Sequence, residues 1–307
     1  MSFFQKHSRF KELLESDEYF LSAELTPPRH YDLSSFMRKA EIINEYVDVI
    51  QINDHLLSKA RINNIIPGQQ CRMSQMEVVL QFSLIHKNKI AVQGDLLAMA
   101  ASGLENLIVL GGYPCSIGSD PDATEVHDLD AITAIQKIYK MVDSGEMFNG
   151  EIISPPPTFH IGAIDFACHG QYLSSGVDRL ERKIDAGATF IQLQAVFELA
   201  SVNEWMNEVV RRGLDKRAKF IGAIFPFADV ERLHVLTQIP GLYIPERLIR
   251  RMANNNSMAE SLRITQELVS GIKAIEPFSG LHIRSIGAEE WVPKIIERCG
   301  LRNEVVY

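Results

Sequence analysis

The sequence has little of what marks several large protein classes. Its four cysteines, Cys71, Cys115, Cys168 and Cys299, form no CxxC pair and show no zinc-ligand spacing, which predicts reduced thiols and no metal site. No basic stripe is available to neutralise phosphates and the formal charge is −8, so we expect no nucleic-acid partner. No apolar run approaches the ~20 residues that span a bilayer, and no signal-peptide pattern is present. These absences predict a cytoplasmic protein with no membrane partner.

Several catalytic signatures are also missing. There is no GxxxxGK phosphate loop, no Ser or Cys in a nucleophile elbow, and no GxGxxG after the first predicted strand. The histidines are dispersed, without the spacing of metal ligands. What the chain does have is 307 residues of which 46% are hydrophobic and 23% charged, enough to bury a large core in one domain.

Short apolar runs alternate with longer segments of helical periodicity, the pattern of strand–helix units in a parallel sheet. The predicted strands are 20–25, 47–54, 77–84, 104–112, 158–166, 189–196, 219–227 and 280–286. The predicted helices are 34–46, 89–103, 129–144, 175–186, 201–213, 229–238, 257–275 and 289–301. Eight strands with helical connections predict an α/β fold of the (β/α)8 TIM-barrel type, with residues 1–307 as a single domain and 1–19 as a helical lead-in. A doubly wound open sheet is the alternative.

Two parts of this pattern differ from the rest. The segment 55–76 contains Pro67-Gly68 and little periodicity, which predicts a short or irregular connection. The stretch 183–198, KIDAGATFIQLQAVFE, reads instead as a helix end, a tight turn and a buried strand. Gly187 stands where a helix C-terminus commonly needs a positive φ, and Gln194 stands near the end of the strand.

Polar side chains follow many of the predicted strands. They are Glu24, Asn53, Asp54, Gln81, Ser83, Tyr113, Asp165, Gln194 and Arg284. In a barrel of this type the carboxyl ends of the strands form the site, so we expect these residues at one mouth. A partly buried carboxylate such as Glu24 can have a raised pKa and act as a general acid. The alternative is that Glu24 pairs with an arginine or caps a loop.

Several motifs, taken in order, resemble the methylenetetrahydrofolate reductase family. AELTPPR at 23–29 is similar to the family's opening strand, and the stretch from Leu80 to Pro114 is similar to its third and fourth strands. Further similar stretches are DPDATEVHDLD at 120–130, RKIDAGATFIQLQAVFE at 182–198, IPERLIRRM at 244–252 and GLHIRS at 280–285. The resemblance runs over roughly residues 20–301.

The resemblance implies a barrel that binds FAD at the carboxyl ends of its strands. NAD(P)H would reduce the flavin, which would pass hydride to methylenetetrahydrofolate and give methyltetrahydrofolate. Glu24 would then protonate a folate nitrogen and Gln194 would hydrogen-bond the pterin, which suits a carboxyl and an amide. The resemblance makes Tyr113 and Arg284 further candidates for substrate binding. The candidates for cofactor binding are Asn53, Gln81, Gly111, Gly112, His127 and Lys183.

The chain departs from the family pattern at several of these positions. The family usually has Gly-Asp after the fourth strand, where this chain has Gly112-Tyr113, and Gly111 replaces a frequent Arg. Leu193 replaces the Thr before the pterin-binding Gln. Three alternatives stay open: an ordinary flavin-dependent reductase, a flavin-independent reductase, and a folate-binding paralogue for another one-carbon step such as methyl transfer or for a partner-subunit role. The sequence also leaves open a homo-oligomer or an electron-donating partner subunit.

Overall fold

A computed structural model describes residues 8–16, 18–239, 241–285 and 288–302. Eight parallel strands form a closed barrel in sequence order, because the last strand pairs with the first. The strands are β1 Phe20–Leu25, β2 Val49–Ile52, β3 Val78–Ser83, β4 Asn106–Leu110, β5 His160–Asp165, β6 Phe190–Leu193, β7 Lys219–Ile224 and β8 Phe278–Ile283. The (β/α)8 prediction is therefore confirmed, and closure excludes the open doubly wound sheet. The single-domain bounds 1–307 stay a prediction, since both chain ends lie outside the described residues.

Helices surround the barrel and connect its strands. They are α1 Phe10–Glu15, α2 Ser34–Asn44, α3 Ile65–Met73, α4 Lys89–Ala101, α5 Ala131–Ser144, α6 Leu173–Asp185, α7 Leu199–Arg211, α8 Val230–Leu236, α9 Glu246–Asn254, α10 Met258–Lys273 and α11 Trp291–Arg298. The main core lies between the strands and these helices, where side chains such as Val92, Ile138 and Trp205 are fully buried. No helix in the described part of the chain is long and apolar enough to cross a membrane.

The connection 55–76, predicted to be short or irregular, is irregular up to Asn64, but the prediction is wrong for its second part, which forms α3. Pro67 is the third residue of the helix, and the first N–H groups of a helix have no partner within it, so proline costs little there. The side chain of Asn63 accepts a hydrogen bond from the Ile65 N–H at 2.9 Å and supports the first turn. Gly68 lets the helix lie close to the barrel, because an added Cβ would be 3.0 Å from Leu80.

Other boundaries shift by a few residues. The predicted strand 280–286 is observed as β8, which begins two residues earlier, and its expected end at Ile286 lies outside the described residues. Of the lead-in 1–19, residues 1–7 and Asp17 lie outside the described part, while α1 supplies the expected helix. Gly187 follows α6 with φ +116°, as the sequence predicts.

The amino-terminal end of the barrel is closed by α1. Phe10 of α1 contacts the rings of Phe20 and Phe190 edge-on, with ring centroids 5.8 and 5.0 Å apart. Glycine on a neighbouring strand makes room for Phe190, because a Cβ at Gly162 would lie 2.2 Å from its ring. Since side chains alternate along a strand, the positions two and four residues after this apolar layer also face the barrel interior. Those positions form the opposite mouth.

Candidate active site

Three expected site residues meet at the carboxyl-terminal mouth. Glu24 lies on β1, Gln194 directly follows β6 and Arg284 directly follows β8. The Arg284 guanidinium lies 3.6 Å from a Glu24 carboxylate oxygen (Nε to Oε2) and donates a hydrogen bond from Nη1 to Gln194 Oε1. Arg284 also lies over the Phe225 ring, 5.4 Å from its centroid. One buried cation thus links the candidate acid to the candidate pterin-binding amide.

A cavity of about 280 Å³ opens at this mouth. The expected site residues that line it are Gln81, Gly111, Gly112, Tyr113, Lys183, Gln194 and Arg284. Gly111 faces open space, since an added Cβ would meet no atom within 4 Å. The structure therefore brings seven of the ten expected site residues to one cavity, with Glu24 directly behind Arg284.

Two expected cofactor-binding residues lie apart from this group. Asn53 is fully buried, and neither polar atom of its side chain has a hydrogen-bond partner among the described residues. His127 is on the surface with 74% of its side chain exposed, and its Nε2 lies 3.4 Å from a carboxylate oxygen of Glu125. Neither residue lines the mouth cavity.

Glu24 is almost completely buried, and its electrostatics differ from the expectation. Burial by itself would raise the pKa of Glu24, but Arg284 and His282 outweigh burial and hold the pKa below its ordinary value. Neither carboxylate oxygen has a hydrogen-bond partner among the described residues; the nearest cation and ring nitrogen lie 3.6 and 3.8 Å away. The expectation of a raised pKa is wrong for this arrangement, in which Glu24 is ionised at neutral pH. The predicted alternative, pairing with an arginine, is what the structure has.

A buried polar group beneath Glu24 was missed in the sequence. It consists of Ser22, Gln51, Gln192 and His282, none more than 1% exposed. His282 Nε2 lies 3.8 Å from Glu24 Oε2, and His282 Nδ1 lies 3.0 Å from Ser22 Oγ. The signal was available, because each of these residues stands two positions before a strand-end polar residue and so faces the interior with it. Burial lowers the pKa of His282, so its ring is neutral near pH 7.

Lys183, expected among cofactor contacts, is held by an internal carboxylate. Its Nζ donates to Asp165 Oδ2 at 3.0 Å and to the Ile164 carbonyl at 2.6 Å. Asp165 also accepts a hydrogen bond from Arg179, whose guanidinium lies 4.2 Å from the centroid of the Phe166 ring. Burial lowers the pKa of Lys183 despite the opposing carboxylate. This edge of the mouth therefore contains an ion-pair cluster that is already internally paired.

The loop after β2 holds Tyr113 in place. His55, Leu57 and Ser58 all have positive φ values, of 43°, 55° and 50°, which is uncommon for residues other than glycine and marks local strain. The Ser58 hydroxyl donates to the Tyr113 carbonyl, and Ser58 Oγ lies 3.1 Å from His86 Nε2. This strained turn fixes one wall of the cavity, and it lies in the segment 55–76 that the sequence predicted to be irregular.

A second cavity of about 290 Å³ adjoins the first. Gln194 and Phe166 line both cavities. Tyr172 and Tyr243 stand at its rim with 64% and 62% of their surface exposed, and His169 lies 6.4 Å from Tyr243 between ring centroids. The second cavity has the aromatic walls that suit a planar ring.

Sequence comparison finds one family over nearly the whole chain. The family model described as "Methylenetetrahydrofolate reductase" matches residues 9–300. A Caenorhabditis elegans protein named "Probable methylenetetrahydrofolate reductase (NADPH)" is 22% identical over 251 residues. That match covers 79% of this chain and 36% of the nematode protein, so the chain spans about a third of the length of this curated relative.

Structural comparison finds the same barrel in solved structures. An uncharacterised Clostridium thermocellum protein that binds two copies of 5-methyl-5,6,7,8-tetrahydrofolic acid superposes with a TM-score of 0.68 at 14% identity, covering 96% of this chain and 100% of that one. An oxaloacetate acetylhydrolase superposes with a TM-score of 0.52 at 10% identity, covering 98% and 94%. At these identities the likeness shows the fold alone.

Proposed function

We propose, since this chain belongs to the methylenetetrahydrofolate reductase family, that it binds a reduced folate in the mouth cavity and reduces the folate's methylene bridge to a methyl group. The observation that supports this most directly is the Glu24–Arg284–Gln194 arrangement at the cavity, which combines an acid, a cation and an amide. The Clostridium thermocellum neighbour, which binds methyltetrahydrofolate, supports folate as the ligand class.

Gln194 and Arg284 are the proposed folate-recognition groups. A pterin ring presents hydrogen-bond donors and acceptors along one edge, which an amide can match because it has both. Gln194 uses its oxygen to accept from Arg284, which leaves its NH2 group to face the cavity. Tyr113 also lines the cavity, beside Arg284, and adds a ring and a hydroxyl. Together these groups orient a planar ligand above Glu24.

Glu24 is the proposed acid. In the free protein Arg284 keeps Glu24 ionised, so the carboxyl must gain a proton when the ligand enters. A bound pterin excludes water and competes for Arg284, and both effects raise the pKa of a buried carboxyl. Displacement of Arg284, which separates Glu24 from the cavity, lets Glu24 give its proton to a folate nitrogen. The bridge then opens to an iminium, and Glu24 is left as a carboxylate. NAD(P)H supplies the hydride that turns the iminium into the methyl group.

FAD, which the family resemblance implies, does not fit the residues that are present. The diphosphate of a flavin dinucleotide needs unpaired cations or free backbone N–H groups. Among the described residues that line the mouth cavity the cations are Lys183 and Arg284, and these are paired with Asp165 and Glu24. The helix start that lines the cavity, Ala131 of α5, is already capped by Asp130, whose carboxylate accepts from the Thr133 N–H. We therefore assign no step to a flavin, whose diphosphate would have to stay bound between turnovers, and favour the flavin-independent reductase. NAD(P)H binds and leaves in each turnover, so its own diphosphate can remain in solvent while its nicotinamide ring enters the second cavity beside Gln194.

A folate-binding paralogue is the second candidate function. One observation favours it: the pKa of Glu24 is lowered in the free protein, which suits a carboxylate that holds a ligand better than one that protonates it. Such a protein would bind methyltetrahydrofolate for a methyl-transfer step or act as a partner subunit. A homo-oligomer and an electron-donating partner stay predictions.

The test combines binding and turnover on the purified full chain. We expect methyltetrahydrofolate to raise the unfolding temperature, and NADH or NADPH to be oxidised only when methylenetetrahydrofolate is present. A visible spectrum without flavin bands, unchanged after incubation with FAD, is expected in the same sample. Binding without oxidation would favour the paralogue, a flavin spectrum would overturn the flavin-independent form, and absence of folate binding would overturn both candidates.

A further inference from the structure

Five polar side chains form one buried group in the middle of the barrel, where TIM barrels mostly have Val, Ile or Leu. Four strands contribute: Ser22 and Glu24 from β1, Gln51 from β2, Gln192 from β6 and His282 from β8. None is more than 1% exposed. Because buried polar groups are costly unless satisfied, their hydrogen bonds must be counted one by one.

The protons of this group can be assigned from its donors. Gln51 Nε2 donates to Gln192 Oε1 at 2.5 Å and to Ser22 Oγ at 3.4 Å, which uses both of its protons. The opposite orientation of the Gln51 amide would leave two donor protons without partners, whereas this one leaves only Gln51 Oε1 unpartnered among the described residues. Since an orphaned donor is costly, the orientation with Nε2 towards Ser22 is favoured.

The Ser22 hydroxyl then has one favoured role towards His282. Ser22 Oγ has two neighbours among the described residues, Gln51 Nε2, which donates to it, and His282 Nδ1, 3.0 Å away. Its second lone pair could accept from an Nδ1–H, but the hydroxyl proton would then have no acceptor, so the favoured arrangement has the Ser22 hydroxyl donating to Nδ1. Nδ1 is therefore the unprotonated nitrogen of the neutral ring, and Nε2 carries the proton. Nε2 has no hydrogen-bond partner among the described residues and lies 3.8 Å from Glu24 Oε2. The N–H faces a carboxylate whose oxygens also lack partners.

We propose that Ser22 fixes the Nε2–H tautomer of His282, and that His282 thereby acts as a positioning residue for the ionised carboxylate of Glu24. This inference rests on the proposed function only in that Glu24 is the proposed acid. The charged and titratable groups facing Glu24 are His282 and Arg284, both from the β8 side. The β2 side contributes the uncharged Gln51 at the same register. The tautomer of His282 therefore decides whether an N–H or a lone pair faces the Glu24 carboxylate.

Without the Ser22 hydroxyl, Nδ1 loses the donor that favours its unprotonated form, and a water molecule in the vacated space could accept from an Nδ1–H, so the preference for the Nε2–H tautomer weakens. An Nδ1–H ring would present the lone pair of Nε2 to Glu24, and a lone pair favours a protonated carboxyl as its partner. Loss of one hydroxyl two residues away on the same strand thus alters the charge state of the candidate acid. The two residues act as a pair through the imidazole.

The direct test is nitrogen-15 NMR of the full chain labelled at histidine. Nine histidines are present, so His282→Asn assigns the His282 signals by their loss. In the wild type we expect a pyridine-like shift for Nδ1 and a pyrrole-like shift for Nε2. In Ser22→Ala we expect the two shifts to exchange or average. The reverse tautomer in the wild type, or no change in Ser22→Ala, would overturn the proposal.

Ser261→Ala is the matched control. Ser261 is also fully buried and donates one hydrogen bond, to the Phe227 carbonyl, away from His282. The Ser261→Ala variant should leave the histidine shifts unchanged. Thermal unfolding checks that both variants fold. If Ser261→Ala changes the His282 shifts as Ser22→Ala does, the effect comes from a general loss of core packing and the proposal fails.

A second measurement follows Glu24 itself. The carbon-13 shift of labelled glutamate, assigned with Glu24→Gln, gives the pH at which Glu24 takes up a proton. In Ser22→Ala that pH should rise by about one unit, the size of effect expected when an N–H dipole 3.8 Å from the carboxylate is replaced by a lone pair. An unchanged midpoint would overturn the coupling. Neither measurement needs folate or nicotinamide, so a failure of the proposed reductase activity would leave this test intact.

Discussion

Replacing Arg284 by glutamine should remove most of what holds Glu24 ionised. The two groups are 3.6 Å apart, with 8% and 1% of their side-chain surfaces exposed. At that separation the pair attraction is about 4–5 kcal/mol with an effective dielectric constant of ~20. This agrees with the ~3–5 kcal/mol loss expected when one partner of a buried pair is removed. We therefore expect Arg284→Gln to lower the free energy of unfolding by about 3–5 kcal/mol near neutral pH.

The loss should depend on pH in a defined direction. In the wild type the pKa of Glu24 is below its ordinary value, so its stabilising contribution is present at neutral pH and is lost as the pH falls. Burial is the largest influence on Glu24, and in the variant its main opponent is gone, so the pKa rises above its ordinary value. The folded variant then binds the proton more tightly than the unfolded chain and gains stability as the pH falls. The gap between the two proteins should narrow as the pH falls from neutral towards the ordinary glutamate pKa of 4.5, and further below it.

Urea unfolding across this pH range measures both effects. A double-mutant cycle with Glu24→Gln separates the Glu24–Arg284 interaction from the loss of the Gln194 contact. Arg250→Gln, which breaks an exposed pair with Glu246, is the matched control and should stay close to the wild type. A pH-independent loss, or a coupling energy near zero in the cycle, would refute the reasoning.

Three further predictions concern the acid, the ion-pair cluster and the closed end of the barrel. Glu24→Gln should lower folate-dependent NAD(P)H oxidation by ~10²–10⁴-fold while methyltetrahydrofolate binding persists in calorimetry; unchanged turnover would remove Glu24 as the acid. Asp165→Asn leaves Lys183 buried without its carboxylate and should cost about 3 kcal/mol in urea unfolding, and a neutral result would show that Lys183 sheds its proton instead. Phe10→Ala removes a fully buried ring that contacts Phe190 and should cost about 3–5 kcal/mol by thermal or urea unfolding; a loss under ~1 kcal/mol would show that α1 does not close the barrel.

The sequence was informative where local periodicity and interior position coincide. Alternating strands and helices gave the barrel, and polar residues at strand ends gave Glu24, Gln194 and Arg284, which do meet at one mouth. Looking two residues before each strand-end polar residue would have found His282 and Gln51, because side chains two positions apart on a strand share a face. Periodicity failed at α3, where Pro67-Gly68 predicted an irregular connection. Pro67 lies in the first turn of the helix, which tolerates proline.

What the sequence could not supply is the electrostatic state of the site. A carboxylate near a strand end can have a raised or a lowered pKa, and the outcome depends on which cation lies within a few ångströms. Arg284 is 260 residues from Glu24 in the chain, and the closure of β8 onto β1 brings them together. Likewise Lys183 was expected among the cofactor contacts, and only packing against β5 pairs it with Asp165.

The sequence by itself therefore determined the architecture and the set of groups available, because hydrophobic period and strand-end position are local properties of the chain. Tertiary structure decided which of those groups are charged, paired or free, because Coulomb and hydrogen-bond energies depend on distances between strands far apart in sequence. In this barrel the tertiary structure brings Glu24 close to His282 and Arg284. It also pairs the cations that a flavin diphosphate would need.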